Sequence, residues 1–202
     1  MKISLHNVGK RYNREWIFRH FSFEFATTGS YAITGANGSG KSTLLQVIAG
    51  ATMHSEGELA YKKNDGGIIE QPYRQIAIAA PYLELIEEFT ATELLNFHTG
   101  FKKLTATIPE ILQSVNLEKA AQKQIRYFSS GMKQRLKLAQ AFFSESDVLF
   151  LDEPTTNLDS EGTSLYQNLV KNHAGTRLLL ISSNVPEEYA FCNEVIKIEE
   201  YK

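Results

Sequence analysis

The sequence is poor in several features that would assign it to particular classes of protein. Its 202 residues include a single cysteine, Cys192, so no intramolecular disulfide can form. The formal net charge of -2 gives no basic field of the kind that drives sequence-independent binding to nucleic acid. No stretch approaches the roughly 18–20 consecutive apolar residues that span a bilayer, and the first residues lack the apolar run of a signal peptide. We therefore expect a cytoplasmic protein without a nucleic-acid partner, and any membrane it serves must come from another chain.

The composition that remains is typical of a globular protein, with 43% hydrophobic and 22% charged residues. The length predicts one domain over residues 1–202, large enough to bury a continuous core. Strands with alternating apolar and polar residues, typical of antiparallel sheet, are predicted at Lys2–Val8 and Phe21–Ala26. Continuous apolar runs predict buried parallel strands at Val148–Leu151 and Leu178–Ser182. The core is therefore expected to be α/β.

The remaining pattern is mostly helical. Helices are predicted at Lys41 to about Ala49, Thr90–Gly100, Ile108–Val115, Gly131–Phe143 and Ser160–Lys171, with a further short strand at Tyr31–Thr34. Because three of these helices lie between about residues 90 and 141, we expect that block to form an inserted helical subdomain.

A glycine-rich motif joins the strand that ends at Thr34 to the helix that begins at Lys41. Its residues are Gly35, Ala36, Asn37, Gly38, Ser39, Gly40, Lys41, Ser42 and Thr43, and the first eight match G-x-x-x-x-G-K-[ST]. Glycines let such a loop wrap around a triphosphate, so that backbone N–H groups and the helix N-terminus face its oxygens. Lys41 would pair with the β and γ phosphates, and Ser42 would ligate Mg²⁺. A purely structural turn is the alternative, but the strand–loop–helix order favours a Walker A loop that binds Mg·ATP.

A second acidic element ends the apolar strand at Val148–Leu151. Asp152 and Glu153 follow it directly, and an apolar strand seldom ends in two carboxylates without a ligand or a turn to accommodate them. In P-loop enzymes the first acid steadies Mg²⁺, which predicts Asp152 as a metal ligand. Glu153 is then placed to orient and deprotonate the attacking water. A solvated strand end before Pro154 is the alternative.

The segment from Phe128 to Arg135, which reads F-S-S-G-M-K-Q-R, resembles the LSGGQ-type signature of ABC ATPases. It departs from that signature at Phe128, Ser130 and Met132. The resemblance implies a P-loop NTPase core with a mostly parallel sheet, an antiparallel β subdomain and an inserted α-helical subdomain. It also implies that Ser129 and Gly131 contact the γ-phosphate of an opposing subunit, in a head-to-tail homodimer or heterodimer with two ATP molecules between the cassettes.

The resemblance extends over nearly the whole chain. Pro154–Asp159 is similar to the family's D-loop, with Asp159 as the residue that communicates across the dimer. Tyr12 stands where the family places an aromatic ring that stacks on adenine. Trp16 is the alternative for that contact.

Two positions depart from the family pattern. Where the family has a Gln that touches Mg²⁺ and the attacking water, this sequence has Pro81, and Gln71 and Gln75 lie too early to replace it. Asn184 occupies the place of the family's switch histidine. Asn can donate a hydrogen bond but carries no positive charge and cannot shuttle a proton. Since loss of one preorganised donor costs roughly 10²–10³ in turnover, we expect the chain to bind ATP but to hydrolyse it slowly, unless a partner cassette supplies a complete site.

The function that this reading favours is the energy-coupling subunit of an ABC transporter, peripheral on the inner face of the cell membrane and joined to a separate transmembrane permease. The segment Pro81–Phe89, in which apolar and acidic residues mix, is the predicted docking surface for that permease. An ordinary surface loop is the alternative for this segment. The alternative function is a non-transport ABC ATPase that acts on nucleic acid or the ribosome, against which the near-neutral charge argues.

Overall fold

A computed structural model describes all residues, Met1–Lys202, and the chain divides into two compact units. The first unit consists of Met1–Ile76, Ser146–Asp152 and Thr176–Lys202. The second consists of Ala77–Glu145 and Glu153–Gly175, so it contains the block predicted as a helical insertion and begins before it. None of the helices combines the length and the apolar character that crossing a bilayer requires.

Eight strands form two sheets. They are β1 Lys2–Tyr12, β2 Glu15–Phe25, β3 Ser30–Thr34, β4 Glu56–Lys62, β5 Ile76–Ala79, β6 Val148–Asp152, β7 Leu178–Ser182 and β8 Glu194–Lys197. The first sheet has the order β2-β1-β4 and is antiparallel in both pairings. The second has the order β5-β6-β7-β3-β8, and the pairings β6/β7, β7/β3 and β3/β8 are parallel. The predicted combination of an antiparallel subdomain with a parallel core is therefore confirmed.

Six α-helices accompany the sheets. They are α1 Lys41–Ile48, α2 Ala91–Thr99, α3 Ile108–Ser114, α4 Ser130–Phe143, α5 Ser160–His173 and the short α6 Pro186–Tyr189. The first five agree with the predicted helices to within two residues at each end. The sequence pattern does not predict β4, β5, β8 or α6, because these elements are short or lack a regular spacing of apolar residues.

The first two strands are longer than predicted, because bulges interrupt their alternation. Asn7 and His20 both have positive φ, 51° and 57°, and His20 Nδ1 lies 2.8 Å from Asn7 Oδ1 across the hairpin. A bulge shifts the side-chain period, so a pattern of strict alternation stops there although the strand continues. The rings of Phe21, Phe23 and Phe25 nevertheless contact one another along one face, as the predicted alternation requires.

The parallel sheet aligns the ends of its strands at one edge. All residues of β6 and β7 are buried, and full burial of each Leu, Ile or Phe side chain contributes roughly 1.5–3 kcal/mol. In the register, Asp152 of β6 lies opposite Ser182 of β7, and Ser182 lies opposite Ile33 of β3. Ligand sites of open α/β sheets form outside this carboxyl edge, so the loops after these three strands are the expected place for one.

Two helices of the second unit begin with a capping box. Thr90 Oγ1 accepts the N–H of Glu93 at 3.2 Å, and the Glu93 carboxylate accepts the N–H of Thr90 at 2.8 Å. Thr107 and Glu110 form the corresponding pair at α3. The N–H of Thr90, followed by its hydroxyl, holds the pKa of the Glu93 carboxyl below its usual range.

Candidate functional site

The glycine-rich loop follows β3 at the carboxyl edge of the parallel sheet. Gly35, Gly38 and Gly40 all have positive φ, at 149°, 76° and 102°. A Cβ on Gly40 would lie 2.4 Å from Ile17 Cγ2, so glycine is needed there both for conformation and for space. Gly40 precedes α1 without any side-chain cap, which leaves the first N–H groups of the helix for an external acceptor.

Lys41 is the first residue of α1 and is only 4% exposed. Its Nζ donates to the carbonyl oxygens of Gly35 at 2.8 Å and Ala36 at 3.2 Å, so the ammonium group rests against the inside of the loop. Ser39 Oγ, also buried, has no hydrogen-bond partner in the chain. A buried hydroxyl without a partner is costly, and a phosphate oxygen would satisfy it. The loop therefore fits the triphosphate that its sequence predicts.

The predicted metal ligands, Ser42 and Asp152, belong to α1 and β6, which pack against each other in the first unit. Asp152 is 1% exposed at the carboxyl end of β6. A hydroxyl and a carboxylate oxygen are donors that suit Mg²⁺, which proteins commonly hold by one or two carboxylates together with substrate phosphates. The two residues therefore fit the cation, and their role stays a prediction.

Asn184 contacts the phosphate loop, and its role at the switch position stays a prediction. Ser183 N donates to Ile33 O at 3.1 Å, which fixes the chain just after β7 against β3. Asn184 Nδ2 then donates to Asn37 Oδ1 at 2.7 Å. The amide of Asn184 thus bonds to a side chain of the loop, 147 residues away in sequence.

Glu153 begins the second segment of the second unit and has an unusual backbone. Its φ is 42°, in the left-handed region that non-glycine residues seldom adopt. The Glu153 carbonyl accepts the N–H of Thr156 at 3.1 Å, and the buried Gln134 of α4 donates to Pro154 O at 2.9 Å. Such strain persists only where the surroundings hold it, and it occurs preferentially at functional sites. Gln134 and Thr156 hold the turn that carries Glu153.

The signature residues Ser129 and Gly131 border a cleft of about 320 Å³ at the start of α4. Ser129 Oγ caps the helix by accepting the N–H of Met132 at 3.2 Å. A Cβ on Gly131 would lie 3.1 Å from Asn157 O, so the helix start approaches the 157–159 loop closely. Asp159 caps α5 through Gly162 N at 2.8 Å and lies 3.5 Å from Arg135 Nη2 of α4. Ser129, Gly131 and Asp159 are thus brought together within the second unit.

The two aromatic residues considered for adenine stacking differ in how much of their rings is accessible. Tyr12 ends β1 and is 49% exposed, with Lys10 Nζ 4.7 Å from its ring centroid. The ring of Trp16 carries two guanidinium groups, those of Arg19 at 4.1 Å and Arg11 at 5.4 Å. Tyr12 is the more exposed of the two residues and has one cation over its ring where Trp16 has two, so it has more free ring surface for a base.

The predicted docking segment, Pro81–Phe89, is joined to the signature helix within the second unit. Lys137 Nζ of α4 donates to Pro81 O at 2.8 Å and to Ala80 O at 3.3 Å. One helical turn earlier, Lys133 forms an ion pair with Glu87. The segment is therefore bonded to α4 at its start and near its end.

A row of aromatic residues extends from the segment to α2 and the turn after it, and it was not predicted from the sequence. The ring of Phe97 lies 5.6 Å from that of Phe89 and 5.2 Å from that of Phe101, and Phe101 is 71% exposed. Tyr82, Leu83 and Ile86 are further exposed apolar side chains of the segment. Phe97 of α2 and Phe101, which lies in the turn after that helix, are four residues apart, and this spacing is the sequence signal for the surface.

One site residue that the sequence reading missed lies near the C-terminal end. Glu199 Oε1 accepts the N–H of Ala36 at 2.7 Å, although the two residues are 163 positions apart. No motif signals this contact in the sequence.

Residues 18–156 match the family model described as ABC transporter. The chain belongs to this ABC transporter family. It is 31% identical over 193 residues to the Nod factor export ATP-binding protein I of Rhizobium johnstonii, covering 92% of this chain and 62% of that protein. The chain therefore spans less than two thirds of the length of that relative.

Two further similarities cover nearly all of both proteins. The ABC transporter ATP-binding protein YybJ of Bacillus subtilis is 26% identical over 200 residues, which cover 97% of this chain and 92% of that protein. The dimeric structure of MJ0796, a bacterial ABC transporter cassette, has a TM-score of 0.81 at 22% identity, covering 97% and 94% of the two chains. This last similarity shows that the fold is that of an ABC cassette.

Proposed function

We propose that this chain binds Mg·ATP and hydrolyses it to energise an ABC transporter, as a cytoplasmic subunit on the inner face of the cell membrane. The observation that carries the proposal is the phosphate loop, with an uncapped helix N-terminus, buried Lys41 and the unpartnered hydroxyl of Ser39. Lys41 and the N–H groups of the loop bind the phosphates, and Ser42 and Asp152 hold Mg²⁺. When bound, Mg²⁺ neutralises charge on the phosphates.

Glu153 is the proposed general base. Its carboxylate orients the attacking water and accepts its proton, and the turn held by Gln134 and Thr156 keeps it in place. Tyr12 is the proposed adenine contact, because its ring is more open than that of Trp16.

Hydrolysis is proposed to be slow because Asn184 replaces a histidine. The Asn184 amide already donates one of its two N–H groups to Asn37 Oδ1 at 2.7 Å, which leaves only the other for a γ-phosphate. An amide also cannot accept and return a proton as imidazole does. The segment at Pro81 supplies no Gln side chain to assist.

The test is steady-state ATP hydrolysis by the purified chain, with ATP binding measured on the same samples. Glu153→Gln should lower the rate about 10²-fold or more while binding stays within about twofold. Asn184→His should raise the rate on the order of 10²-fold, whereas Asn96→His, at an exposed position of α2, should not. If the unaltered chain hydrolyses ATP fast and Glu153→Gln abolishes that activity, the proposal of slow hydrolysis is contradicted. If the unaltered chain does not bind ATP, the whole assignment is contradicted.

The chain is further proposed to act as a dimer of cassettes, whether homomeric or heteromeric. The support is the cleft at the start of α4, where Ser129 and Gly131 border open space beside the 157–159 loop. MJ0796, a cassette of the same fold, is dimeric. In the proposed arrangement this cleft receives the γ-phosphate held by the opposing subunit.

The transmembrane permease is proposed to dock on Pro81–Phe89. This segment combines exposed apolar side chains with Glu84, Glu87 and Glu88, and it adjoins the aromatic row of Phe97 and Phe101. Cytoplasmic loops of membrane proteins are rich in Lys and Arg, which complements an acidic and apolar surface. Lys133 and Lys137 bond the segment to α4. A partner that binds the segment can therefore act on the signature residues through this helix.

Charge reversal tests this docking surface. Glu87→Lys combined with Glu88→Lys should reduce the fraction of the chain that sediments with cell membranes. Glu118→Lys, an exposed carboxylate elsewhere in the second unit, is the matched control and should leave that fraction unchanged. Unaltered sedimentation of the double variant would contradict the assignment.

A further inference from the structure

The C-terminal turn of the chain, Ile198–Tyr201, is anchored in the first unit on both sides of Glu199. Ile198 is fully buried, and the ring of Tyr201 packs on that of Phe21 with 4.7 Å between their centroids. A short 3-10 turn that is packed at both ends holds the backbone of Glu199 in place. The Glu199 side chain therefore extends from a fixed point of the backbone.

The neighbour that Glu199 meets is the first turn of the phosphate loop. Its Oε1 accepts the N–H of Ala36 at 2.7 Å. A Cβ on Gly35 would lie 2.6 Å from the same oxygen, so the carboxylate approaches closely only because residue 35 is glycine. This N–H is also the first cause that holds the pKa of the Glu199 carboxyl below its usual range.

The N–H of Ala36 and the carbonyl of Gly35 belong to one peptide unit. That carbonyl accepts Lys41 Nζ at 2.8 Å, and the next carbonyl, of Ala36, accepts both Lys41 Nζ at 3.2 Å and Ser39 N at 3.0 Å. Because a trans peptide is planar, with its N–H and C=O pointing in opposite directions, fixing one end of the unit orients the other. The Glu199 carboxylate thus sets the direction of the carbonyl on which Lys41 rests.

We propose that Glu199 is a positioning residue for nucleotide binding: its carboxylate fixes the Gly35–Ala36 peptide, so that the phosphate loop and Lys41 are already in place when the nucleotide arrives. This inference rests on the proposed function, since it requires the loop to bind ATP. When the loop is already ordered, no binding energy is used to order it. Loss of this preformed state should therefore weaken the affinity for nucleotide. The opposite expectation is that a carboxylate near a phosphate site only repels the ligand.

Three variants separate the two expectations. Glu199→Ala removes the acceptor and the charge, Glu199→Gln removes the charge but keeps an acceptor oxygen, and Glu200→Ala removes the neighbouring exposed carboxylate as a control. Affinity for Mg·ATP and Mg·ADP is measured by calorimetry on each purified chain, with the thermal unfolding midpoint recorded without nucleotide. Glu199→Ala should bind about fivefold more weakly, while Glu199→Gln and Glu200→Ala stay within about twofold of the unaltered chain.

Steady-state kinetics supply a readout that a merely structural role would not move. Glu199→Ala should raise KM for ATP with little change in kcat, and Glu199→Gln should restore it. Tighter binding by both Glu199 variants, or unchanged binding by Glu199→Ala, would overturn the inference while the proposed function stands. An unaltered chain that binds no Mg·ATP would overturn both, so the two failures are distinguishable.

Discussion

The helices α1 and α4 both begin at a motif that faces phosphate in the proposed function, and they begin in different ways. Gly40 precedes α1 in a left-handed conformation and provides no side-chain cap, whereas Ser129 precedes α4 and accepts the N–H of Met132. A helix N-terminus without a side-chain cap leaves all of its first N–H groups for water or a ligand, whereas a capping side chain satisfies one of them within the chain. In the proposed function this difference means that α1 binds the phosphates of its own nucleotide, while α4 contacts a nucleotide that the opposing subunit holds.

The surroundings of the two helix starts support this contrast. At α1 the buried ammonium group of Lys41 and the buried hydroxyl of Ser39 point into the loop. At α4 the neighbouring charges are already paired within the unit, as Arg135 lies 3.5 Å from Asp159 and 3.7 Å from Glu161. We expect the contrast to appear most strongly in nucleotide affinity, less in stability, and least in the pH dependence of unfolding.

The largest effect is expected at α1. Lys41→Ala removes the cation that faces the phosphates, and a hydrogen bond between charged groups contributes roughly 1.5–3 kcal/mol. Affinity for Mg·ATP should therefore fall about tenfold or more, as measured by calorimetry. Lys62→Ala, at an exposed lysine of β4, is the control. Unchanged affinity of Lys41→Ala would mean that Lys41 stays on the carbonyls of Gly35 and Ala36 when nucleotide is bound, and the contrast would lose its basis.

A smaller effect is expected at α4, and on stability. Ser129→Ala removes the cap and should lower the free energy of unfolding by about 1 kcal/mol in a denaturant titration. Ser130→Ala, one position later and exposed, should have little effect. Ser129→Asp keeps a cap but adds negative charge, so it should leave stability nearly unchanged and abolish ATP-driven dimerisation. Equal stability of Ser129→Ala and the unaltered chain would show that α4 also depends on an external partner at its start.

The smallest effect concerns the other end of α4. Gln140 Nε2 donates to His98 Nδ1 at 2.8 Å, and His98 Nε2 lies 2.7 Å from Ser144 Oγ. Burial, and then the charge of Lys102, lowers the pKa of His98 below its ordinary value of 6.5. If His98 Nδ1 were protonated, its N–H would face the N–H donor of Gln140. The unfolded chain therefore binds this proton more readily than the folded chain does. The stability that His98 contributes is therefore complete above about pH 6.5 and lost as the pH falls through its lowered pKa.

Denaturant titrations at pH values from about 7.5 to 5 check this expectation. The free energy of unfolding should decline as the pH falls below about 6.5, and His98→Gln should decline less over that range. His6→Gln, at an exposed histidine of β1, should follow the unaltered chain. If the free energy of unfolding of His98→Gln and of His6→Gln changed with pH in the same way, the neutral form of His98 would not be what stabilises this end of α4.

Much of the fold and of the site could be predicted, because the signals are local. Glycines at positions 35, 38 and 40 supply the positive φ values of the loop, and Thr90 and Glu93 close a capping box three residues apart. The buried runs of β6 and β7 are recognisable from composition alone. Strands β4 and β8 could not be recognised, since each has a mixed pattern whose role depends on the strand beside it.

The sequence by itself determined the phosphate loop, the acidic strand end and the start of α4, since each is encoded in a few adjacent residues. Only the tertiary structure decided which side chains surround the loop. In the sheet order β7-β3-β8, the strands on both sides of β3 run parallel to it and end at the same edge. Asn184 follows β7 and reaches Asn37, and Glu199 follows β8 and reaches Ala36, across 147 and 163 positions of sequence. No local pattern encodes such contacts, because they depend on which strands become neighbours in the sheet.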